Sequence, residues 1–286
     1  MAAPRFVLAG GDERSLWLAK LMQADGISVS LIGLGAPEDL PPPRAPEAVI
    51  PRAEAVILGV PAVKGVALYA PLAEEPLLPA GILRYMTPGA VLCGGMLTDA
   101  LRVAAELRGI ETLDYYADPV LALRNAVPTA EGAIALAMAN SPRTLDGSPA
   151  LVLGAGRVGK ALALRLAGLG ACVTVTARKR EDLALLELMG LTAVPTEAAD
   201  PAPYRFIFNT VPAPVLGAEK LVRVRPDALL MELASAPGGI DREACTALGL
   251  TLICAPGLPG KVAPCTAAEY IRDALRSALP FYPKGS

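Results

Sequence analysis

The sequence predicts an α/β protein built from two doubly wound domains, each with a parallel sheet. Short apolar runs alternate along the chain with segments whose apolar residues recur at helical spacing, and each half of the chain contains a glycine-rich turn that follows a strand. Strands that alternate with helices form right-handed βαβ units and therefore parallel sheets. Hydrophobic residues make up 53% of the 286 positions, enough apolar material for two cores.

The first predicted domain covers residues 1–130. Its first βαβ unit has a glycine turn, Gly10-Gly11-Asp12-Glu13-Arg14, that lacks a third glycine. Two later apolar runs are continuous rather than alternating, which is typical of buried parallel strands. We predict a strand at residues 5–9, the turn at 10–14, a helix at 15–24 and a second strand at 27–32. Two buried strands should follow at 55–59 and 90–94.

The second predicted domain covers residues 131–265 and contains the most informative motif. A strand at 150–153 leads into Gly154-Ala155-Gly156-Arg157-Val158-Gly159, then a helix, then a β-branched strand at 173–176. In this GxGxxG spacing the first glycine makes the turn, the second lets the backbone approach a pyrophosphate, and the third lets helix and strand pack closely. Free N–H groups at the helix start suit phosphates. This predicts a Rossmann-like domain whose dinucleotide site includes Gly154, Gly156, Arg157, Val158 and Gly159; a purely structural turn is the less favoured interpretation.

The residues after the second strand of this domain favour NADP over NAD. NAD sites place an acidic residue there to bind the ribose 2′-hydroxyl. This chain has Ala177-Arg178-Lys179-Arg180, whose three cations suit a 2′-phosphate, although Glu181 and Asp182 could make it only a solvated basic turn. NAD stays the alternative cofactor.

The later strands of the second domain, at 205–208, 229–233 and 251–254, end in loops rich in proline and small residues. Ligands of such sheets bind beyond the carboxyl ends of the strands. We therefore predict that the nicotinamide end of the cofactor contacts residues of these loops, namely Asn209, Thr210, Pro212 and Ser235.

Composition excludes several classes of protein. A net charge of −2 and a pI near 5.4 argue against nucleic-acid binding. Apolar windows are interrupted by Pro61, Lys64 and Pro71, so no membrane span is predicted, and the N-terminus has no signal-peptide pattern, which favours a cytoplasmic location.

The histidine count of zero excludes a Ser-His-Asp triad and a histidine metal cluster, so an acid or base must be Glu, Asp, Lys, Tyr or Cys. The cysteines are scattered, which fits free thiols in a reducing compartment and predicts no metal site. They are Cys93, Cys172, Cys245, Cys254 and Cys265.

Five separated segments resemble the family of the dipicolinate synthase A subunit. They are the turn at residues 10–14 and the segments 125–132 (NAVPTAEG), 209–212 (NTVP), 233–239 (LASAPGG) and 255–264 (APGLPGKVAP). The resemblance implies an NAD(P)-dependent oxidoreductase of sporulation, in the mother-cell cytoplasm of a spore former, that converts dihydrodipicolinate to pyridine-2,6-dicarboxylate. It also implies that the partner is a flavoprotein B subunit, within a homo- or hetero-oligomer. As in two-domain dehydrogenases, residues 266–286 should form a helix that packs back on the first domain.

A dicarboxylate substrate requires cations or oriented N–H groups within hydrogen-bonding reach of the nicotinamide. Lys261, in a glycine-proline loop beyond a strand end, and Arg14, at the first glycine turn, are the candidates, and we expect both in a cleft between the domains. The alternatives are a solvated lysine and an arginine paired with Glu13 or Asp12.

Aromatisation of the ring also requires a base. Glu131, at a helix predicted to start near Thr129, is the first candidate, although Thr129 could cap that helix and leave Glu131 only a favourable charge at its start. Asn125 and Thr129 could orient a carboxylate. Tyr115 and Tyr116 are weaker bases, and Cys265 has no predicted catalytic role.

Two other functions stay open. Asn209-Thr210-Val211-Pro212 is similar to a strand-end motif of shikimate dehydrogenases, and the two-domain plan is similar to that of 2-hydroxyacid dehydrogenases, which however use a catalytic histidine. The chain could also be a non-catalytic dinucleotide-binding subunit that supports a flavoprotein.

Overall fold

The structure, a computed structural model, describes residues 5–35 and 38–283. Its chain divides into two compact units: the described residues up to Arg124 together with those from Ala263 onward, and Asn125–Val262. The structural division therefore lies ahead of the boundary at residue 130 that the sequence suggested. The reason is a helix that begins before residue 130 and belongs wholly to the second unit.

Each unit contains a parallel sheet. The strands of the first unit are β1 (Arg5–Ala9), β2 (Ser28–Ile32), β3 (Ala55–Leu58), the short hairpin β4 (Val63–Lys64) and β5 (Ala67–Leu68), β6 (Val91–Gly94) and β7 (Glu111–Asp114). Those of the second unit are β8 (Pro149–Leu153), β9 (Cys172–Ala177), β10 (Thr192–Pro195), β11 (Phe206–Asn209), β12 (Leu229–Glu232) and β13 (Thr251–Cys254). The sheet orders are β2-β1-β3-β6-β7 and β10-β9-β8-β11-β12-β13.

Helices connect the strands on both faces of each sheet. They are α1 (Glu13–Ala24), α2 (Pro46–Val49), α3 (Pro79–Leu83), α4 (Asp99–Glu106), α5 (Pro119–Arg124), α6 (Ala126–Ala139), α7 (Arg157–Gly168), α8 (Arg180–Leu188), α9 (Ala218–Leu221), α10 (Arg242–Ala247), α11 (Leu258–Val262) and α12 (Pro264–Ala278). Short 3₁₀ turns occur at Ile50–Arg52, Tyr115–Ala117 and Thr196–Ala198. The predicted α/β class with two parallel, Rossmann-like sheets is confirmed.

The strand order of the second unit is that of a dinucleotide-binding sheet, in which the first strand lies at the centre and the chain reverses direction beside it. Here β8 is that first strand, and its neighbours are β9 on one side and β11 on the other. The glycine turn Gly154–Gly159 begins where β8 ends. The sheet therefore places the turn at the crevice where ligands of this fold bind.

The C-terminal helix packs back on the first unit, as predicted. Ile271 and Leu275 of α12 lie in the same hydrophobic core as Phe6 of β1. Beyond the helix, Tyr282 meets the Phe6 ring edge-on, with ring centroids 5.7 Å apart, and its hydroxyl donates a hydrogen bond to Asp25 Oδ2 at 2.8 Å. Aromatic packing and a polar anchor together hold this segment on the first sheet.

Several helix boundaries differ from those predicted. Helix α1 begins at Glu13 rather than at residue 15, because the Asp12 side chain accepts a hydrogen bond from the Arg14 N–H and so caps the helix. Helix α12 begins at Pro264 rather than at residue 266. Helix α6 begins at Ala126, so the predicted helix start near Thr129 is wrong; the Thr129 hydroxyl instead donates to the Asn125 carbonyl at 2.9 Å within the first turn.

The described residues include neither a membrane-spanning helix nor a metal-binding cluster. No helix there is long and apolar enough to cross a membrane. No group of three or more cysteine or acidic side chains in the same residues could hold a metal ion.

Candidate functional site: a dinucleotide cavity at the second glycine turn

The first and third glycines of the second turn are required by close packing. Gly154 has a φ of +101°, and a Cβ there would lie 2.6 Å from Val211 Cγ2. A Cβ on Gly159 would lie 2.0 Å from the Gly154 carbonyl oxygen. The Thr176 hydroxyl accepts a hydrogen bond from the Gly154 N–H at 3.1 Å and holds the turn against the next strand. Any side chain at these two glycines would force the strand-to-helix turn apart.

Gly156 differs from the other two glycines because, among the described residues, no atom beyond its two chain neighbours lies within 4 Å of the place where its Cβ would be. It precedes α7, and no side chain caps that helix. The N–H groups of the first turn of a helix have no acceptors within the helix and carry its positive end. An open backbone beside an uncapped helix start fits a diphosphate, so the residues present suit a dinucleotide.

A cavity of about 820 Å³ adjoins this turn within the second unit. Of the cofactor residues predicted from the sequence, its lining includes Gly154, Gly156, Arg178, Lys179, Thr210 and Pro212. It does not include Arg157, Val158, Gly159, Arg180, Asn209 or Ser235. Gly159 shapes the turn from inside, whereas the side chains of Arg157, Arg180 and Ser235 are exposed to solvent and Val158 is half-buried.

Charges around the cavity are uneven. Asp182 lines it but is paired with Lys160 of α7, with 2.8 Å between Nζ and Oδ1. Arg178 and Lys179 follow β9 and take part in none of the ion pairs formed among the described residues. Arg178 and Lys179 are therefore cations without an ion-pair partner among the described residues, in a cavity that Glu197 and Glu219 also line.

Asn209 lies inside the protein instead of facing the cavity. It is fully buried, and its Nδ2 donates to the Val211 carbonyl at 2.9 Å and to Glu232 Oε1 at 2.7 Å, while its Oδ1 accepts from the Val211 N–H at 3.0 Å. Both ends of the amide are occupied. In this structure the Asn209 side chain fixes the loop after β11 and is not part of the cavity lining.

Arg14 is buried in the first unit and held by Asp12. Its Nε and Nη2 donate to the two carboxylate oxygens of Asp12 at 2.8 Å each, and Nη2 also donates to the Val60 carbonyl at 2.6 Å. Burial lowers the pKa of Arg14, but the hydrogen bond and the charge of Asp12 outweigh burial, so the pKa is raised overall. The guanidinium is thus fixed in place. This agrees with the alternative interpretation of the sequence, in which Arg14 pairs with Glu13 or Asp12.

Two tyrosines lie near this pair. Burial raises the pKa of Tyr69, and the neighbouring Asp12 raises it further. Burial also raises the pKa of Tyr115, whose hydroxyl donates to the Leu58 carbonyl at 2.9 Å. A buried phenol that already uses its proton in a hydrogen bond is a poor general base, which counts against Tyr115.

The other predicted catalytic residues lie in the second unit. Glu131 is in the second turn of α6 rather than at its start; its carboxylate is 59% exposed and lies 3.5 Å from Arg165 Nε. Lys261 is exposed in the short helix α11, not in a loop, so that expectation is wrong. A Cβ on Gly132 would lie 3.0 Å from Val262 Cγ2, so α6 and α11 pack closely and bring Glu131 and Lys261 onto neighbouring helices.

Two charged groups that organise the second unit were not predicted from the sequence. They are the Lys160–Asp182 pair and the buried carboxylate of Glu232. A lone acidic residue in the apolar strand Leu229–Glu232 was a usable signal, because a buried charge needs dedicated partners. The Lys160–Asp182 pair had no comparable signal, since its two residues are 22 positions apart and meet only in the folded chain.

Comparison with known proteins shows that this chain is similar to the dipicolinate synthase A subunit. Residues 5–116 match the model of the N-terminal domain of the dipicolinate synthase A subunit. The chain is 29% identical to the A subunit of dipicolinate synthase from Bacillus subtilis (strain 168), over 96% of this chain and 95% of that protein. The predicted family resemblance is confirmed.

Solved structures agree. The crystal structure of the dipicolinate synthase A subunit from Bacillus halodurans superposes with a TM-score of 0.89 at 27% identity, covering 98% of this chain and 99% of that one. The corresponding Bacillus subtilis structure gives 0.84 at 28%, covering 98% and 96%. A transhydrogenase from Sinorhizobium meliloti, at 17% identity and a TM-score of 0.69 over 96% and 92% of the two chains, shares the fold.

Proposed function

We propose that this chain is the dehydrogenase subunit of a dipicolinate synthase, which oxidises dihydrodipicolinate to pyridine-2,6-dicarboxylate with NADP as acceptor. The observation that carries the proposal is the similarity to the dipicolinate synthase A subunit over 96% of the chain. We place this activity in the mother-cell cytoplasm of a spore former, together with a flavoprotein B subunit. The word "subunit" in the relative's name supports a multi-subunit enzyme.

The cavity at the second glycine turn supports the cofactor part of the proposal. Gly156 leaves its backbone open, and the uncapped start of α7 suits a diphosphate. Arg178 and Lys179 suit a 2′-phosphate because both are cations on the cavity lining that follow β9. A bound nicotinamide would accept the hydride, and the ring loses one proton to a base, so the two electrons and both hydrogens are accounted for.

Arg14 and Lys261 are the proposed partners of the substrate carboxylates. Asp12 and the Val60 carbonyl occupy Nε and Nη2 of Arg14, and Nη1 makes no hydrogen bond among the described residues. Lys261 is exposed, and its flexible side chain can adjust to the position of a bound carboxylate. A guanidinium fixed by its own carboxylate supplies a preorganised contact, and a lysine supplies an adaptable one.

Glu131 is the proposed base. Its exposed carboxylate on α6 lies on the helix that packs against α11, which contains Lys261. Arg165 Nε lies 3.5 Å from its Oε1, so a cation accompanies this carboxylate. Glu131 would accept the proton lost from the ring carbon, and a bound nicotinamide would supply the acceptor for the hydride.

The decisive experiment is a direct assay of product. The purified chain is mixed with enzymatically generated dihydrodipicolinate and NADP, with and without the flavoprotein, and the absorbance of pyridine dicarboxylate is followed. We expect product to form faster with the chain than without it. If product forms at the same rate when this chain is omitted and the flavoprotein is present, the chain is a non-catalytic subunit.

Substitution of Lys261 tests its contact with substrate. Lys261→Ala should raise the substrate concentration needed for half-maximal rate about tenfold or more, because one carboxylate loses a charge-assisted partner worth about 1.5–3 kcal/mol. Lys64→Ala, another exposed lysine, is the matched control and should leave this concentration unchanged. An unchanged value in Lys261→Ala would make Lys261 a solvated lysine.

Substitution of Glu131 tests the base. Glu131→Gln should lower the maximal rate about a hundredfold at saturating substrate with little change in cofactor affinity, because only proton removal is lost. Glu106→Gln, on the exposed side of α4, is the control. A Glu131→Gln variant as fast as the parent would exclude this carboxylate, and Tyr116 would be the next residue to test.

A further inference from the structure

Glu232 is an almost fully buried carboxylate at the carboxyl end of β12, with 1% of its surface exposed. Its Oε1 accepts hydrogen bonds from Asn209 Nδ2 at 2.7 Å and from the Ala234 N–H at 3.0 Å. Its Oε2 accepts from the N–H groups of Gly239 at 2.8 Å and Ile240 at 3.0 Å. Four donors therefore converge on one side chain.

This arrangement requires a carboxylate. An ionised carboxylate only accepts hydrogen bonds, and its two oxygens can take all four donors. A glutamine of the same shape would turn an NH₂ group toward two N–H donors and leave them without an acceptor. The identity of this residue is therefore set by what it binds and not by packing alone.

The carboxylate ties two loops together. Residues 234–240 wrap around it through three backbone N–H groups. Residues 211–217 are joined to that loop by Gly239, whose carbonyl accepts from Val215 N at 2.9 Å and Leu216 N at 3.0 Å. A Cβ on Gly239 would lie 2.6 Å from the Ala213 carbonyl oxygen, so the two loops are in direct contact.

The first of these loops forms a wall of the cavity. Val211, Pro212 and Val215 line it together with Gly154 and Gly156. Asn209, which donates to Glu232, also clamps the start of this loop by binding both the N–H and the carbonyl of Val211. The position of the wall thus depends on a chain of hydrogen bonds that ends at Glu232.

We propose that Glu232 is a positioning residue that holds the loops 211–217 and 234–240 in the form that accepts the dinucleotide. The proposal rests on the cofactor site of the proposed function. Because Arg178 and Lys179 follow a different strand and make no contact with Glu232 in this network, Glu232 sets how tightly a dinucleotide binds but not the choice between NADP and NAD.

The test compares Glu232→Gln with the parent in the full-length chain. NADPH and NADH dissociation constants are measured by nucleotide fluorescence at a temperature at which circular dichroism shows both proteins folded. Hydrogen–deuterium exchange of peptides 211–217 and 234–240 is measured on the same samples. We expect both nucleotides to bind about tenfold or more weakly, with their ratio kept, and exchange to quicken in these two peptides alone.

A matched control separates positioning from general destabilisation. Ile134→Ala removes buried apolar contacts from α6 in the same unit, away from the cavity. It should lower the unfolding temperature while leaving both dissociation constants and the exchange of the two loops at parent values. If Ile134→Ala weakens nucleotide binding as much as Glu232→Gln does, the effect is global and the proposal is wrong.

A milder variant covers the case in which Glu232→Gln does not fold. Asn209→Ala removes one of the four donors and the clamp on Val211, but leaves the three backbone N–H groups on the carboxylate. It should quicken exchange in peptide 211–217 more than in 234–240 and weaken both nucleotides by a similar factor. Parent-like exchange and affinity in the variants that fold would overturn the proposal.

The outcome also distinguishes this inference from the proposed function. If the parent binds neither NADPH nor NADH, the cofactor assignment fails, whereas loop exchange in the variants still decides whether Glu232 holds the loops. If the parent binds NADPH and Glu232→Gln binds it equally well, only the role of Glu232 fails.

Discussion

The two glycine turns of this protein occupy the same place in their units but serve different purposes. Each follows the first strand of its sheet and leads into the first long helix after that strand. The residues of the first turn that correspond to Gly156 and Gly159 by spacing are Asp12 and Ser15. Where the second turn leaves an open backbone, the first carries a carboxylate.

That one difference changes what the turn can bind. Asp12 caps α1 and pairs with Arg14, which is itself anchored on the Val60 carbonyl. The second turn leaves α7 uncapped beside a cavity of about 820 Å³. A carboxylate at the start of a helix occupies the place where a diphosphate would bind and also repels it. In the same βαβ unit, the N–H groups at the helix start are therefore either bound by the chain's own side chains or left open to a ligand.

The largest effect should come from removing the Asp12 carboxylate from the first turn. Asp12→Ala leaves the guanidinium of Arg14, only 9% exposed, without its partner. Loss of one member of a buried pair costs about 3–5 kcal/mol. Chemical denaturation should therefore show a marked loss of stability, and hydrogen exchange should assign that loss to α1.

The control for this variant is Asp200→Ala, which breaks the ion pair between Asp200 and Arg223. Both side chains of that pair are exposed, Asp200 to 46% and Arg223 to 60%. Such pairs contribute about 0–1 kcal/mol. Equal losses in the two variants would show that the first turn is not held by its ion pair.

The second turn is tested by adding a side chain at Gly156. Gly156→Val should weaken NADPH binding about a hundredfold or more, because the new side chain occupies the path of the diphosphate toward the backbone. The unfolding temperature should change little, since no atom of the described residues other than its two chain neighbours lies within 4 Å of the added Cβ.

Gly168→Val is the matched control, since a Cβ at that end of α7 also meets nothing within 4 Å. It should bind NADPH like the parent in titration calorimetry. Retained binding in Gly156→Val would make the second turn structural, like the first.

The smallest effect concerns cofactor choice at the second turn. Arg178→Asp should erase or reverse a preference for NADP over NAD, because a charge-assisted contact with phosphate is worth about 1.5–3 kcal/mol, or roughly ten- to a hundredfold in affinity. Binding of both nucleotides is measured by titration. Equal affinities of the unmutated chain for NADP and NAD would refute this assignment, while leaving the dinucleotide site itself intact.

Local patterns predicted much of the fold. The continuous apolar runs became β3, β6 and β11, and the GxGxxG spacing placed the turn between β8 and α7. The two-residue and edge strands β4, β5, β7 and β10 were not predicted individually. They are short and only partly apolar, so hydrophobic periodicity distinguishes them poorly from loops.

Site residues could be predicted where a backbone motif required them. Predictions were unreliable where the surroundings of a side chain determined its orientation. Gly154, Gly156 and Arg178 lie on the cavity because the strand and turn fix their positions. Asn209 was expected to face the cofactor but is turned inward by Glu232. Glu131 was expected at a helix start, yet α6 begins at Ala126 because the chain is already helical just before it, in Pro119–Arg124.

The sequence by itself determined the two parallel sheets, the position of the dinucleotide turn and the basic residues beside it. Those features follow from apolar periodicity, glycine geometry and charge within a few residues of each other. Only the tertiary structure decided that Asp12 holds Arg14, that Lys160 neutralises Asp182 and that Glu232 joins two loops. The Lys160–Asp182 and Asn209–Glu232 pairs join residues more than twenty positions apart, and the Gly239 link to Glu232 depends on a loop closing back on its own strand. Their contacts arise from the order of the strands in the sheet, which no local pattern specifies.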